Sequence, residues 1–242
     1  MRFLVYCCLF VFLLNCEDTK SKKNNSDKPA IETPVKQTSE TKTLQTDAIP
    51  EIVEDTREFP VLTDDNAMEF FLEYEKEHKE NTVRITTEYG TIDIQLFNET
   101  KFHRANFIFL TKQGYFNNTQ FYRVVKNFII QGGGSDDSEI GKRRVSIGKY
   151  LLPTDAKRGF KHDRGVISMP SSDIENPYKL ASPYEFFIVQ APGGAHHLDG
   201  SYTIFGKVIK GMDVVDAISN VETDDAEWPL HNVYIKKVEI ID

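Results

Sequence analysis

The sequence is poor in cysteine, and the few it has are confined to one end. Cys7, Cys8 and Cys16 are the 3 cysteines among 242 residues. Nothing after Cys16 can form a disulfide or a thiolate metal site, so the folded part must be stable from its core alone. Long basic runs are also lacking, and the formal net charge is -8. Nucleic acid is therefore not an expected partner, because phosphate binding needs a basic footprint. The longest apolar run, Phe3 to Leu14, is too short to span a bilayer as a helix. His196, His197 and Asp199 lack a ligand spacing such as HExxH, and adjacent histidines on a loop point in different directions. No metal and no cofactor is expected. Gly132, Gly133 and Gly134 are not followed by the Lys-Ser/Thr of a phosphate loop.

What is present suffices for one sizeable core, with 40% hydrophobic and 12% aromatic residues. The start of the chain has the form of an export signal: Arg2, the apolar run, then Leu13-Leu14-Asn15-Cys16 and polar sequence. Its end resembles the lipobox of bacterial lipoproteins, in which the chain is cut before a cysteine that is then lipidated. Asn15 departs from the small residue usual there. Residues 1–16 are thus expected to be a signal with Cys16 as lipidation site. Localisation in the cell envelope, anchored by lipid, would follow. Residues 17–62 are rich in Lys, Thr, Ser, Glu, Asp and Pro, cannot bury enough surface to order themselves, and read as a tether.

Residues 63–80 carry Met68, Phe71, Leu72 and Glu75 at helical spacing, with acids in the first turn. One amphipathic helix is expected there. The period then changes to two. Val83–Thr87 and Thr91–Leu96 read as a hairpin, and strands are expected over 120–130, 165–169, 186–190, 203–208 and 233–241. Helices are expected over 101–113 and 212–218, and a solvated loop over 135–163. Many short strands with Gly/Pro turns and two flanking helices argue for a mainly β fold, a closed barrel capped by helices.

Three motifs then occur in order: FYRVVKNFIIQGGG, GVISMP and EFFIVQAPGGAHHLDGSYTIFGKVIKGMDVVDAI. They closely resemble the cyclophilin family of peptidyl-prolyl cis-trans isomerases, and the resemblance covers roughly Thr82 to Ile241. It implies an eight-stranded antiparallel β-barrel with a helix over each open end in residues 82–242, with the helix of 63–80 as an addition. It implies proline-containing polypeptides as substrates; a monomer is expected.

The chemistry can be argued from the residues. An X-Pro bond resists rotation because the nitrogen lone pair is shared with the carbonyl, with a barrier of about 18–20 kcal/mol. A cation aimed at the prolyl nitrogen localises that lone pair, and the interaction strengthens as the bond twists. Arginine suits the task, being always charged with donors in a rigid fork. Arg123 matches the family's catalytic arginine, and Gln131 the glutamine that holds it and the substrate backbone. Phe128 and Ile129 match pocket residues, Met169 and Phe187 the pocket floor, and Leu198 another wall. Tyr122 stands where His is usual. Glu185 stands where a glutamine pairs with substrate; a carboxylate accepts but cannot donate, and is a candidate partner for Arg123. His197 occupies the place of a tryptophan, and Tyr202 that of a pocket histidine. Pro170 and Ser171 replace Ala-Asn. The expected function is isomerisation of X-Pro bonds in exported proteins as they fold. The alternative is a weakly catalytic module that holds proline-containing segments of a partner.

Mass spectrometry of the mature N-terminus is expected to find Cys16 as the first residue, carrying lipid. A chain that retains residues before Cys16, or bears Cys16 as a free thiol, would remove the anchor from this account.

Overall fold

A computed structural model describes residues 58–171 and 176–241. The signal, Cys16 and the tether up to residue 57 lie outside the described residues. Among the described residues no helix is long and apolar enough to cross a membrane.

In chain order the elements are β1 (Leu62–Thr63), α1 (Ala67–Glu77), β2 (Thr82–Thr86), β3 (Thr91–Leu96), α2 (Lys101–Lys112), β4 (Thr119–Val125) and β5 (Ile129–Gly134). Then follow α3 (Ser138–Ile147), β6 (Gly148–Lys149), β7 (Val166–Met169), β8 (Phe186–Val189), β9 (Thr203–Lys210), α4 (Met212–Ser219), β10 (Val233–Ile235) and β11 (Lys237–Ile240). β1 and β6 form a small parallel ribbon. The other nine strands form one antiparallel sheet, ordered β10-β4-β5-β8-β7-β9-β3-β2-β11.

The two edges of that sheet are consecutive in the chain. β10 pairs with β4, β11 pairs with β2, and only Lys236 separates them, its N–H donating to the Thr86 carbonyl at 2.8 Å. Residues 233–240 thus serve both edges and close the barrel. Counted as one bent strand they restore the expected eight; the ninth arises from the change of partner at Lys236.

Alternation fills the barrel. β2 buries Val83 and Ile85, and β3 buries Ile92, Ile94 and Leu96. Phe107 of α2 stacks on Phe116 at 4.6 Å and meets the Phe186 ring edge-on at 5.6 Å. Such pairs add about 0.5–1.5 kcal/mol each beyond area burial. α4 packs against β3, β4 and β5.

α2 is buried at every position from His103 to Thr111, because α1 covers its outer side. That is why its apolar period is weak in the sequence. Phe59, Phe70, Phe71 and Tyr74 surround Phe109 at 4.9 to 5.8 Å. Buried Arg104 ties the end of α1 down, donating to the carbonyls of His78 and Glu80 at 2.8 and 3.0 Å.

Two expectations need correction. Residues 120–130 are not one strand but a hairpin, turned at Lys126-Asn127-Phe128 with Asn127 in the left-handed region (φ 60). The apolar run hid the turn, since Lys126 and Asn127 are its sole polar signal. Residues 135–163 are not all loop, for they contain α3. Asp137 caps that helix by accepting from the Glu139 N–H at 2.9 Å. It buries only Ile140 and Ile147, so its sequence looks solvated.

The glycine triplet ends β5, and Gly133 shows why. Its φ is +98, and a Cβ there would lie 2.3 Å from the Tyr184 carbonyl oxygen. Gly133→Ala is expected to cost about 2 kcal/mol or more. In a domain of this size about 2 kcal/mol lowers the melting temperature by roughly 4–8 °C. An unchanged melting temperature would mean the two segments are not held together at this point.

His103 generates a second expectation. It is 1% exposed in α2, and burial pushes its pKa down from 6.5 to about 4. The folded state therefore resists a proton that the unfolded state accepts. Stability is complete above pH 6.5 and falls as the pH drops toward 4, by up to about 1.4 kcal/mol per pH unit for this one group. Urea unfolding at pH 7 and pH 5 should show the loss, and His103→Leu should reduce the difference between the two.

Candidate active site

The site begins with an irregularity in the β4–β5 ladder. Phe121 pairs with Gly132 and Arg123 with Gln131, so Tyr122 is an extra residue without a partner. A bulge of this kind re-aims side chains. The Tyr122 hydroxyl accepts a bond from Gln131 Nε2 and donates to Glu185 Oε2 at 2.9 Å. Burial, and then the carboxylate of Glu185, hold the Tyr122 phenol well above its usual range, so it stays a donor. Turning the amide nitrogen of Gln131 toward Tyr122 leaves its carbonyl oxygen as a free acceptor.

The hairpin turn delivers the next residues. The Phe128 carbonyl accepts from the N–H groups of Gln190 and Ala191 at 2.8 and 3.0 Å, which fixes the turn against the end of β8. Ile129 is 4% exposed and packs in a small apolar cluster with Phe187, Val166 and Ile204. Phe128, Leu198 and Tyr202 pack on the same cluster. Tyr202 meets the Phe187 ring edge-on at 5.9 Å.

These groups border a cavity of about 410 Å³. Arg123 and Gln131 form its polar side; Phe128, Ile129, Phe187, Leu198 and Tyr202 form its apolar and aromatic side. Pro170 and Ser171 complete the rim. Chemistry rather than size selects it: a cavity of about 510 Å³ on α1, bordered by Pro60, Phe70, Tyr74 and three glutamates, has no arginine at its wall.

Three expected site residues stand elsewhere. Met169 is 1% exposed in the main barrel core, so the residues after it, Pro170 and Ser171, reach the cavity instead. His197 lies on the outer side of Phe128, stacked at 5.2 Å, and supports the wall rather than forming it. Glu185 faces a neighbouring cavity of about 360 Å³, with Tyr115, Asp136, Arg144 and Trp228, and its carboxylate is taken by Tyr122 rather than by Arg123.

The anion on Arg123 is Glu227. Arg123 Nε donates to Glu227 Oε2 at 2.7 Å, across 104 positions of sequence. Trp228 follows it and lies 5.5 Å from the Tyr122 ring. Sequence reasoning missed both. The available signal was the one tryptophan of the chain beside an acidic run.

Behind Phe187 lies a polar chain. His162 Nδ1 is 2.9 Å from Asp199 Oδ1, and its Nε2 is 3.0 Å from Ser168 Oγ. Burial lowers the His162 pKa, with Asp199 opposing in part. The neutral ring thus donates to Asp199 and accepts from Ser168. It stacks on Phe187 at 6.0 Å and backs the wall of the cavity. His196 turns to Asp199 and Asp163 at 3.3 and 3.7 Å, away from the ring of His197.

The family model described as cyclophilin type peptidyl-prolyl cis-trans isomerase/CLD matches residues 82–240. The chain is 40% identical over 169 residues to a peptidyl-prolyl cis-trans isomerase-like 2 of Rhizopus delemar, covering 69% of this chain and 30% of that one. It therefore spans under a third of that relative's length. It is 37% identical over 164 residues to a peptidyl-prolyl cis-trans isomerase of Acinetobacter baylyi, covering 66% of this chain and 82% of the relative. Among solved structures, a cyclophilin type isomerase of Cryptosporidium parvum, crystallised in the presence of the dipeptide Ala-Pro, is 34% identical with TM-score 0.57. That match covers 66% of this chain and 99% of the other. The chain belongs to the cyclophilin-type peptidyl-prolyl cis-trans isomerases.

Proposed function

We propose that the cavity beside Arg123 binds the proline of an X-Pro segment and lowers the barrier to rotation about its peptide bond. The observation that carries this reading is a guanidinium at the edge of an apolar, aromatic-walled space of about 410 Å³. The proline ring sits against Phe128, Ile129, Phe187 and Leu198. Arg123, 35% exposed at its side chain, offers its Nη groups to the prolyl nitrogen. As the bond twists, the nitrogen regains its lone pair and becomes a better acceptor, so the bond from Arg123 strengthens toward the transition state. The apolar wall lowers the local dielectric and strengthens it further. The free carbonyl oxygen of Gln131 takes a backbone N–H of the substrate. No bond is made or broken other than hydrogen bonds.

The substrates are flexible, proline-containing polypeptides, as the Ala-Pro dipeptide used with the Cryptosporidium relative supports. With the apolar run of residues 3–14 and Cys16, the setting is the cell envelope, where a monomer held by lipid meets newly exported chains. Unaided, their X-Pro bonds isomerise in tens to hundreds of seconds. A second reading, a module that holds proline-containing segments with little turnover, has one observation in its favour: Glu227 already shares the charge of Arg123.

A protease-coupled assay on an Ala-Pro peptide separates the two. The wild type is expected to accelerate isomerisation, and Arg123→Ala to lower kcat/KM by roughly 10²–10³-fold, the cost of removing one such donor. Peptide binding followed by NMR should survive the substitution. No acceleration by the wild type would favour the holding module; equal rates in wild type and variant would remove Arg123 from the mechanism.

A further inference from the structure

The segment between α4 and β10 is built around one carboxylate. Asp224 closes it from within, its Oδ1 accepting from the N–H groups of Ala226 and Trp228 at 2.9 Å. The Asp224 N–H donates to the Trp228 carbonyl at 2.9 Å, and the Glu227 N–H donates to the Asp224 carbonyl at 3.0 Å. Leu230 N–H donates to the Glu222 carbonyl at 2.9 Å and closes the base. The loop is then fastened to β4, where the Val124 N–H donates to the Glu227 carbonyl at 2.9 Å. Glu227 itself has φ 65, a left-handed conformation uncommon for a residue with a side chain. Strain of that kind persists where the surroundings over-determine it, and it concentrates at functional sites.

We infer that Glu227 is a positioning residue for Arg123, clamping its Nε so that the two Nη groups stay turned to the cavity. The inference rests on the assignment of Arg123 to the prolyl nitrogen. The pair is 35% and 41% exposed at its side chains, a setting in which an ion pair adds little stability. Its use is in geometry. The carboxylate takes the one donor that lies along the arginine stem and leaves the terminal fork free. A long side chain at a cavity mouth otherwise samples many rotamers, and a misplaced catalytic group costs rate rather than binding. The same carboxylate also draws charge from the guanidinium, and the two effects predict opposite signs.

The experiment compares Glu227→Ala and Glu227→Gln in the full chain, with melting temperatures measured to confirm folding. Glu227→Ala is expected to lower kcat roughly ten-fold with KM within about two-fold of wild type. Glu227→Gln, which keeps an oxygen for Nε, should recover most of that loss. On an Arg123→Ala background, Glu227→Ala should have no further effect. NMR of the Arg123 Nε–H gives a readout independent of turnover: one protected resonance is expected in the wild type and in Glu227→Gln, and its loss in Glu227→Ala. An unchanged or raised kcat in Glu227→Ala overturns the clamp, as does an equal fractional loss on the Arg123→Ala background. Absence of the protected resonance in the wild type overturns it too. Absence of isomerase activity in a wild type that shows the resonance would instead count against the assignment of Arg123 to the prolyl nitrogen.

Discussion

The bulge at Tyr122 in the β4–β5 ladder sets the geometry of the whole site. In a regular strand Tyr122 and Arg123 would point to opposite faces. The bulge at Tyr122 lets both engage polar partners outside the barrel, while Phe121 on one side and Val124 on the other stay in the core. Because the register resumes at Arg123, the arginine stands directly across from Gln131. The close approach at Gly132, Gly133 and Gly134 belongs to the same arrangement. Cβ atoms at those positions would meet the rings of Phe121 and Tyr122 and the backbone at Tyr184. The triplet is thus less a strand terminator than the floor on which the bulged strand lies.

The barrel holds that hairpin still. Closure through residues 233–240 leaves β4 paired on both sides, by β5 and by β10. β5 in turn is paired by β8, whose Phe187 both lines the cavity and rests on the neutral ring of His162. Of the apolar wall, Ile129 and Phe187 stand on strands, Phe128 on the hairpin turn, and Leu198 and Tyr202 on the segment before β9. α1 seals the outer side of α2, covering Phe109 with Phe70, Phe71 and Tyr74, and Arg104 fastens its end. The added helix completes the core instead of enlarging the site.

Much of this was legible in the sequence, for physical reasons. Period-two segments named the strands, since one face of each had to be apolar to fill the barrel. The FYRVVKNFIIQ run drew attention to Arg123, because a permanent cation within apolar sequence demands an explanation, and the resemblance to the cyclophilin family then assigned Arg123 and Gln131 to the site. What escaped notice depends on long-range contact. Met169 and Phe187 look alike in sequence, yet only the second lines the cavity. Tertiary packing turns one inward and the other out. Glu185 was a candidate partner of Arg123, but its carboxylate accepts from Tyr122 instead. Glu227 sits among Asp224 and Asp225, and no local pattern says which of the three acids meets an arginine 104 positions away. α3 escaped because a helix that buries two residues in ten leaves almost no apolar period.

The placement of Glu227 bears on how a site can hold a cation without silencing it. An arginine whose five donors were all satisfied in the resting state would gain nothing as the prolyl nitrogen becomes an acceptor, since only interactions that strengthen toward the transition state accelerate the reaction. An arginine with no partner would lose ordering entropy at each turnover. Fixing the inner nitrogen alone meets both demands, since the anchor is already made before substrate arrives and the fork is still unspent. The carboxylate's draw on the charge is limited by its exposure, because water screens a pair at the rim more than it screens the contact formed against the apolar wall. The same logic places Tyr122 between Gln131 and Glu185. The Tyr122 phenol donates to the carboxylate of Glu185, so that a second anion is engaged away from Arg123.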